Sequence, residues 1–170
     1  IADTHEGRHP RPVPIWTVHP EQEQAIMETL ENSFGVLGNT NTLGDALISA
    51  ASNAMEDNFQ DYLAQLIYYK EGSFLEPLDE ESLEAIFKPL LQNSIGYMLL
   101  VRCGIDPSQH FTSEDFSYIS GFNTLQTINA LGTATSDISQ MCLSEIARTV
   151  QSLQRQQNRT FEDAAQKEYA

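Results

Sequence analysis

The chain has 170 residues, of which 41% are apolar and 19% are charged. This length is typical of one domain, and the apolar fraction is enough for a packed core, which excludes a wholly disordered chain. Acidic residues number 24 against 9 basic ones, giving a formal net charge of -15. Binding to nucleic acid or to an anionic membrane needs clustered Lys and Arg, so this charge argues against both. It favours solubility, a basic partner or mimicry of DNA.

The N-terminal part is predicted as an arm followed by a first helix. Three prolines in residues 1–14 block helix formation and predict a flexible, extended arm. The segment 15–18 has the composition of a short strand. Pro20 suits the first turn of a helix, and apolar residues recur at helical spacing until Gly35, which ends the pattern.

Two long helices are predicted in the middle of the chain. The first starts near Thr42, and its apolar stripe continues to Ile67. The second starts at Asp79, a good N-cap, and ends at Gly104, a good C-terminal cap. Pro89 lies inside the second pattern. Because proline removes a backbone donor and clashes with the preceding turn, we expect a kink or two separate helices there.

The last part is predicted as a loop and two further helices. Residues 105–121 are expected to be mostly loop, with one helical turn near 113–118. A short helix is expected over 123–131, and Ser136 is expected to cap a final helix whose apolar stripe reaches Leu153.

These elements predict a mainly α fold. We expect a compact domain of about five to six helices over residues 15–157, with a zincin-like helical core and at most a small sheet. The polar residues at the end predict a frayed tail over 158–170.

Cys103 and Cys142 both fall where a helical stripe needs an apolar residue, and neither belongs to a metal-spaced pair. The pattern therefore predicts buried, free thiols in a reducing compartment. The sequence has no signal-peptide pattern and no apolar run of membrane-spanning length, which predicts a cytoplasmic protein.

One motif suggests metal chemistry. His5, Glu6 and His9 match the H-E-x-x-H pattern, in which two histidines one helical turn apart bind zinc and the glutamate activates water. The pattern works only on a helix, and Gly7 and Pro10 disfavour a helix here. A mobile arm without a metal is therefore favoured over a zinc-dependent hydrolase, which stays the alternative.

The remaining polar and aromatic candidates have simpler interpretations. His19 and His110 are predicted as isolated surface residues, and the acidic cluster after Asp79 as a solvated helix start. Four aromatic residues in the predicted loop are expected to fill an edge of the core rather than form a ligand cage. They are Phe111, Phe116, Tyr118 and Phe122.

Two stretches resemble one known family. Residues 94–106 read S-I-G-Y-M-L-L-V-R-C-G-I-D, and residues 116–122 read F-S-Y-I-S-G-F. In order and approximate spacing they are similar to the C-terminal half of the zinc-peptidase-like (zincin) domain of ArdC-type antirestriction proteins from mobile elements. In that family S-V-A-Y leads to G-I-D, then to F-x-Y-[IV]-A-G-W and a last amphipathic helix.

Residues 42–50, T-L-G-D-A-L-I-S-A, resemble the metal helix of the same family, T-L-x-H-E-x-x-H-A. The resemblance places the zinc histidines on Asp45 and Ser49, the catalytic glutamate on Ala46 and a third ligand on Asn93. Zinc needs three good protein ligands, and alanine cannot act as a base. The resemblance thus implies a degenerate metal site without zinc or catalysis. It also implies that Asp45, Ser49 and Asn93 lie close together.

Together these observations predict a non-catalytic, zincin-like domain of a mobile-element-associated protein. It would act through contacts with a protein partner, with no cofactor and no membrane contact. The first alternative is a zinc-dependent hydrolase that uses His5, Glu6 and His9. The second is an acidic DNA mimic that binds a basic protein, in line with the antirestriction activity of the family.

Overall fold

The computed structural model describes residues 17–169. Within them the chain forms four α-helices, joined by short loops and by two 3-10 helices between the third and the fourth. No strand occurs in this part of the chain, so the predicted mainly α class is confirmed. The α-helices are α1 (Pro20–Phe34), α2 (Leu43–Tyr69), α3 (Glu80–Arg102) and α4 (Leu125–Glu168). The 3-10 helices are a short one (Pro107–Gln109) and a long one (Ser113–Gly121).

The predicted helix ends are set by side-chain and glycine caps. The hydroxyl of Thr42 accepts a hydrogen bond from the N–H of Asp45 at the start of α2, and the carboxylate of Asp79 accepts one at the start of α3. Gly104 follows α3 with φ 74°, a left-handed conformation that glycine adopts without strain. Its N–H bonds the Val101 carbonyl, and the next N–H bonds that of Leu100, which is a Schellman cap.

Helix α3 is continuous, so the predicted division at Pro89 is wrong. Proline there removes one backbone donor, but the residues around it hold the helix by packing. Phe87, Leu90 and Leu91 are fully buried on both sides of Pro89. The burial of three large side chains outweighs a loss of about 3 kcal/mol, since each is worth roughly 1.5–3 kcal/mol.

Helix α4 is also continuous, so the two predicted helices are one and Ser136 is not an N-cap. Glycine, threonine and serine near residues 132–136 weaken the local helix pattern. The buried stripe nevertheless continues through them, with Leu131, Ala134 and Ile138 on one face. Thr124 caps the helix instead, where its hydroxyl accepts the Thr127 N–H.

Helix α2 lies at the centre of the domain and packs against α1, α3 and α4. Four alanines on α2 are fully buried, and their small side chains allow the neighbouring helices to approach closely. They are Ala46, Ala50, Ala51 and Ala54. Larger side chains close the seam between α2 and α3, where the rings of Phe59 and Phe87 lie 5.5 Å apart.

Polar pairs fix the relative positions of the helices at the surface. Lys88 of α3 lies 2.9 Å from the Glu56 carboxylate of α2. The Tyr62 hydroxyl of α2 donates to Asp137 of α4 at 3.1 Å. Burial and this hydrogen bond both raise the pKa of Tyr62. These pairs add geometric specificity to a core that is otherwise apolar.

The structure describes the two predicted terminal segments to different extents. The arm, residues 1–14, lies outside the described residues, as do residues 15 and 16 of the predicted strand; 17 and 18 are not in a strand. At the other end, residues 158–168 are exposed and continue helix α4, and fraying of this tail stays a prediction. Glu, Gln, Lys and Ala are good helix formers, which favours this continuation of the helix. No helix within 17–169 is both long and apolar enough to cross a membrane.

Candidate functional site

An apolar groove of about 550 Å³ lies between α3, the long 3-10 helix and α4. Its size is within the range of ligand and peptide pockets in proteins. We call it the α3–α4 groove. Its main lining residues come from all three elements: Tyr97 and Met98, then Phe116, then Ile128, Leu131 and Gly132.

Two aromatic rings, those of Tyr97 and Phe116, form one wall of this groove, and Phe111 packs against both without lining the groove. Tyr97 lies 5.7 Å from Phe116 and 6.4 Å from Phe111, measured between ring centroids, and Phe111 lies 5.7 Å from Phe116. Each pair is tilted or edge-to-face, the favourable arrangement for aromatic rings. The wall joins two separate stretches of the chain, residues 94–106 and 116–122, since Tyr97 belongs to the first and Phe116 to the second.

A glycine on α3 makes room for this wall. A Cβ built on Gly96 would lie 3.0 Å from Cζ of Phe111. A side chain at position 96 would require the ring of Phe111 to shift by a few tenths of an ångström, so glycine lets the ring lie close to the backbone of α3. Gly96 therefore leaves space for the ring of Phe111, and the ring of Tyr97 packs against it.

The groove exposes large apolar side chains to solvent. Tyr97 is 44% exposed, Met98 36% and Ile128 39%. Single exposed apolar residues are common, but three that line one concavity form a continuous patch, which is typical of an interaction surface.

The polar groups of the groove are already engaged within their own helices. The Ser94 hydroxyl donates to the Leu90 carbonyl at 2.7 Å, and the Thr135 hydroxyl donates to the Leu131 carbonyl at 2.8 Å. No ionisable side chain other than the Tyr97 phenol lines the groove. This lining is suited to binding an apolar surface rather than to nucleophilic or acid–base chemistry.

The surroundings of the groove are acidic. Residues 103–147 contain no Lys or Arg, whereas Glu114 and Asp115 lie just before Phe116 in the long 3-10 helix. Of the two basic residues on α3, Lys88 is paired with Glu56 and Glu84, and Arg102 lies at the end of the helix, one turn after Met98. Acidic residues therefore outnumber basic ones in the three elements that line the groove.

The four positions predicted to form a degenerate metal site are in different local environments. Asp45 accepts a hydrogen bond from the Thr42 hydroxyl and lies 3.9 Å from Nδ1 of His110. Ser49 exchanges hydrogen bonds with the backbone of Asn39. Ala46, on the same helix, is buried in the core.

Asn93, the fourth of these positions, belongs to another region. Its amide donates to the Asp115 carbonyl at 3.0 Å, in the long 3-10 helix. No hydrogen bond joins it to Asp45 or Ser49 in the part of the chain that is described. The structure thus brings Asp45 next to His110 and the loop before α2, while Asn93 supports the groove side of α3.

The other candidate metal ligands do not form a metal site within the described residues. His5, Glu6 and His9 lie outside the described residues. Within residues 17–169, no group of three His, Cys, Asp or Glu side chains is arranged to hold a metal. His19 is exposed, as expected. His110 was expected at the surface but its side chain is only 19% exposed, because it packs over Gly44 of α2.

Both cysteines are free and buried, as their positions in the stripes predicted. Burial raises the pKa of each thiol to about 12. At neutral pH both thiols are protonated, so neither is a nucleophile.

The groove is a site that the sequence pattern does not predict. The pattern predicts Phe111 and Phe116 at an edge of the core, and both are half-buried against it, but Phe116 also lines the groove. The available signals were two adjacent large apolar residues on one helix, Tyr97 and Met98, and a glycine at 132 within a helical stretch. Two neighbours on a helix point about 100° apart, so at least one of them tends to face outwards.

Comparison of the chain with protein-family models, curated proteins and solved structures finds no match. The candidate site therefore depends on the geometry of this chain alone.

Proposed function

We propose that this chain is a non-catalytic helical domain that binds a protein partner in the α3–α4 groove. The observation that carries the proposal is the open concavity with three exposed large apolar residues, Tyr97, Met98 and Ile128. Exposing them to water is unfavourable, at about 25 cal/mol per Å² of apolar surface. A partner that covers them recovers this free energy.

Two further observations support a binding role over an enzymatic one. The hydroxyls of the groove bond their own helices, and no carboxylate, imidazole or thiol lines the groove. The described residues that line the groove therefore supply no activated nucleophile or general base. We also propose, from the sequence resemblance, that the scaffold is a zincin-like pseudoenzyme of a mobile-element protein and acts in the cytoplasm.

The two alternative functions remain separate proposals with their own tests. A zinc-dependent hydrolase would hold about one zinc per chain through His5, Glu6 and His9, which elemental analysis of the full chain measures. An acidic DNA mimic, favoured only by the charge of -15, would bind a basic protein through its acidic surface with steep salt dependence. Such binding would be insensitive to substitutions in the groove.

Site-specific photo-crosslinking tests the proposed function. A photoreactive phenylalanine analogue replaces Ile128 in the groove, or Tyr68 on α2 as a control of high exposure. We expect a crosslinked protein of defined mass in cells for the groove position alone, lost when Gly132→Leu fills the groove. Equal crosslinking from both positions, or none from the groove, would show that the groove is not the contact surface.

A further inference from the structure

We infer that the α3–α4 groove binds an amphipathic α-helix that has basic residues beside its apolar face. This inference deepens the proposed function and rests on it. Three independent features of the groove define the occupant: its shape, a glycine in its floor and the charge around it.

The shape of the groove selects a helix. The α4 wall from Ile128 to Thr135 extends for about two helical turns, or roughly 10 Å at 1.5 Å per residue. Apolar side chains at positions i, i+4 and i+7 of a partner helix cover the same distance. All walls are helical, so their backbone groups are used internally, and an extended peptide would find no strand edge to pair with.

Gly132 in the floor of the groove points to close approach by another helix. It lies in the interior of α4 and is exposed, where glycine costs about 1 kcal/mol relative to alanine. A Cβ built at this position meets no atom of the described residues within 4 Å. Packing within the domain therefore gives no reason for glycine there. Small residues at a helix surface do let a second helix backbone come close.

Charge complementarity selects basic residues in the occupant. The segment 103–147, which supplies lining residues from two of the three walls, contains no basic residue, and Glu114 and Asp115 directly precede the lining residue Phe116. Lysines or arginines beside the apolar face of a bound helix would lie near Glu114 and Asp115. The same charge disfavours a second copy of this chain, because two molecules of charge -15 repel each other.

Three matched peptides of about 15 residues test the inference. An isolated helix of this length is marginally stable in water, so the peptides have an alanine-rich background that favours the helix. Each has leucines at i, i+4 and i+7, and its polar face carries Lys, Gln or Glu. The full chain is titrated with each peptide, and the amide of Gly132 and the methyl groups of Ile128 are followed by NMR. We expect binding in the order Lys, Gln, Glu, with the Glu peptide at least about tenfold weaker than the Lys peptide.

Two variants separate groove binding from general attraction to an acidic protein. Gly132→Leu should weaken the Lys peptide at least about tenfold, since leucine fills the floor of the groove while favouring the helix. Met141→Gln, on the same helix outside the groove lining, should leave the affinity unchanged. Gly132→Ala should raise the melting temperature yet weaken binding, a combination that unfolding cannot produce.

Several results would overturn the inference. Equal affinity for the Lys and Gln peptides at low salt removes the basic occupant while leaving groove binding intact. Unchanged affinity in Gly132→Leu, or no response at Ile128, shows that the peptides bind elsewhere. Concentration-dependent shifts at Gly132 in the free chain would identify a second copy as the occupant, and a crosslink from position 128 to residues 1–16 would identify the chain's own N-terminal segment.

Discussion

The two faces of helix α3 differ in how they treat apolar residues. One face is sealed against α2, with Phe87, Leu91 and Ile95 fully buried. The other face presents Tyr97 and Met98 to the groove, where more than a third of each remains exposed. The sealed face contributes the stability of the domain. The open face leaves apolar surface in contact with water. This surface contributes little to the free energy of folding, and its burial by a binding partner would be favourable.

We expect the largest difference in thiol reactivity, between the buried Cys103 at the end of α3 and a cysteine placed on the open face. Burial raises the pKa of Cys103 from 9.0 to about 12, so the thiolate fraction near pH 8 falls by about three orders of magnitude. We expect the folded chain to react with a thiol reagent at least about 100-fold more slowly than the denatured chain. Met98→Cys, on the open face, should react at nearly the denatured rate. Fast labelling of the unsubstituted folded chain would contradict the burial of both thiols.

The same groups predict how stability changes with alkaline pH. The folded-state pKa of each thiol is raised, so the folded chain keeps two protons that the unfolded chain releases above about pH 9. Stability should therefore decline as pH rises from about 9 towards 12. Denaturant midpoints measured across this range check the sign, and a rising midpoint would refute it.

Truncation of a sealed-face ring should destabilise the domain strongly. Phe87 contacts the rings of Phe59 and Phe122, at centroid distances of 5.5 and 5.9 Å. Phe87→Ala should cost about 3–5 kcal/mol in the free energy of unfolding, measured with urea. Tyr97→Ala on the open face should cost less than half as much, because part of its surface is exposed in the folded chain. Equal costs would remove the distinction between the faces.

A matched pair of glycine substitutions should have opposite effects on stability. Gly96→Ala places a methyl group 3.0 Å from Phe111 and should destabilise the domain by about 1 kcal/mol, after its gain in helix propensity. Its near-ultraviolet circular dichroism should also change, because the aromatic wall must shift. A stability gain in this variant would show that Phe111 moves without cost.

Gly132→Ala should have the smallest effect on stability. Unlike Gly96→Ala, it should stabilise the domain. The added methyl group meets no described atom within 4 Å, so the variant gains about 0.5–1 kcal/mol from helix propensity alone. Urea denaturation of the two alanine variants side by side measures both signs. Destabilisation by Gly132→Ala would mean that the floor of the groove is already filled in the free chain.

Local chemistry was enough to predict several elements. Pro20, Thr42 and Asp79 each start a helix where expected, and Gly104 ends one, because capping depends on a few neighbouring residues. The predictions of helix ends at two residues with low helix propensity were wrong. Pro89 and Ser136 both lie inside continuous helices, since burial of the residues around them outweighs the local cost.

The groove depends on contacts that local patterns do not contain. Phe111 and Phe116 meet Tyr97 only because the 3-10 segments fold back over α3, and the sequence predicted this region mostly as loop. Spacing along the chain shows which residues share a helix face. It does not show which two helix faces fail to pack fully against each other and so leave a groove. The exposed neighbours Tyr97 and Met98 were the part of the site within reach of sequence reasoning.

Helix α4 also has two parts, and their difference bears on dynamics. It is about 66 Å long at 1.5 Å per residue, and its side chains are buried in part up to Val150 and Leu153. Beyond that point, residues 154–168 are all exposed. An isolated helix of this length is marginal in water, so its amides should exchange with solvent without opening the core. We therefore expect one unbroken helix to span two cooperative units, with the boundary between them near Leu153.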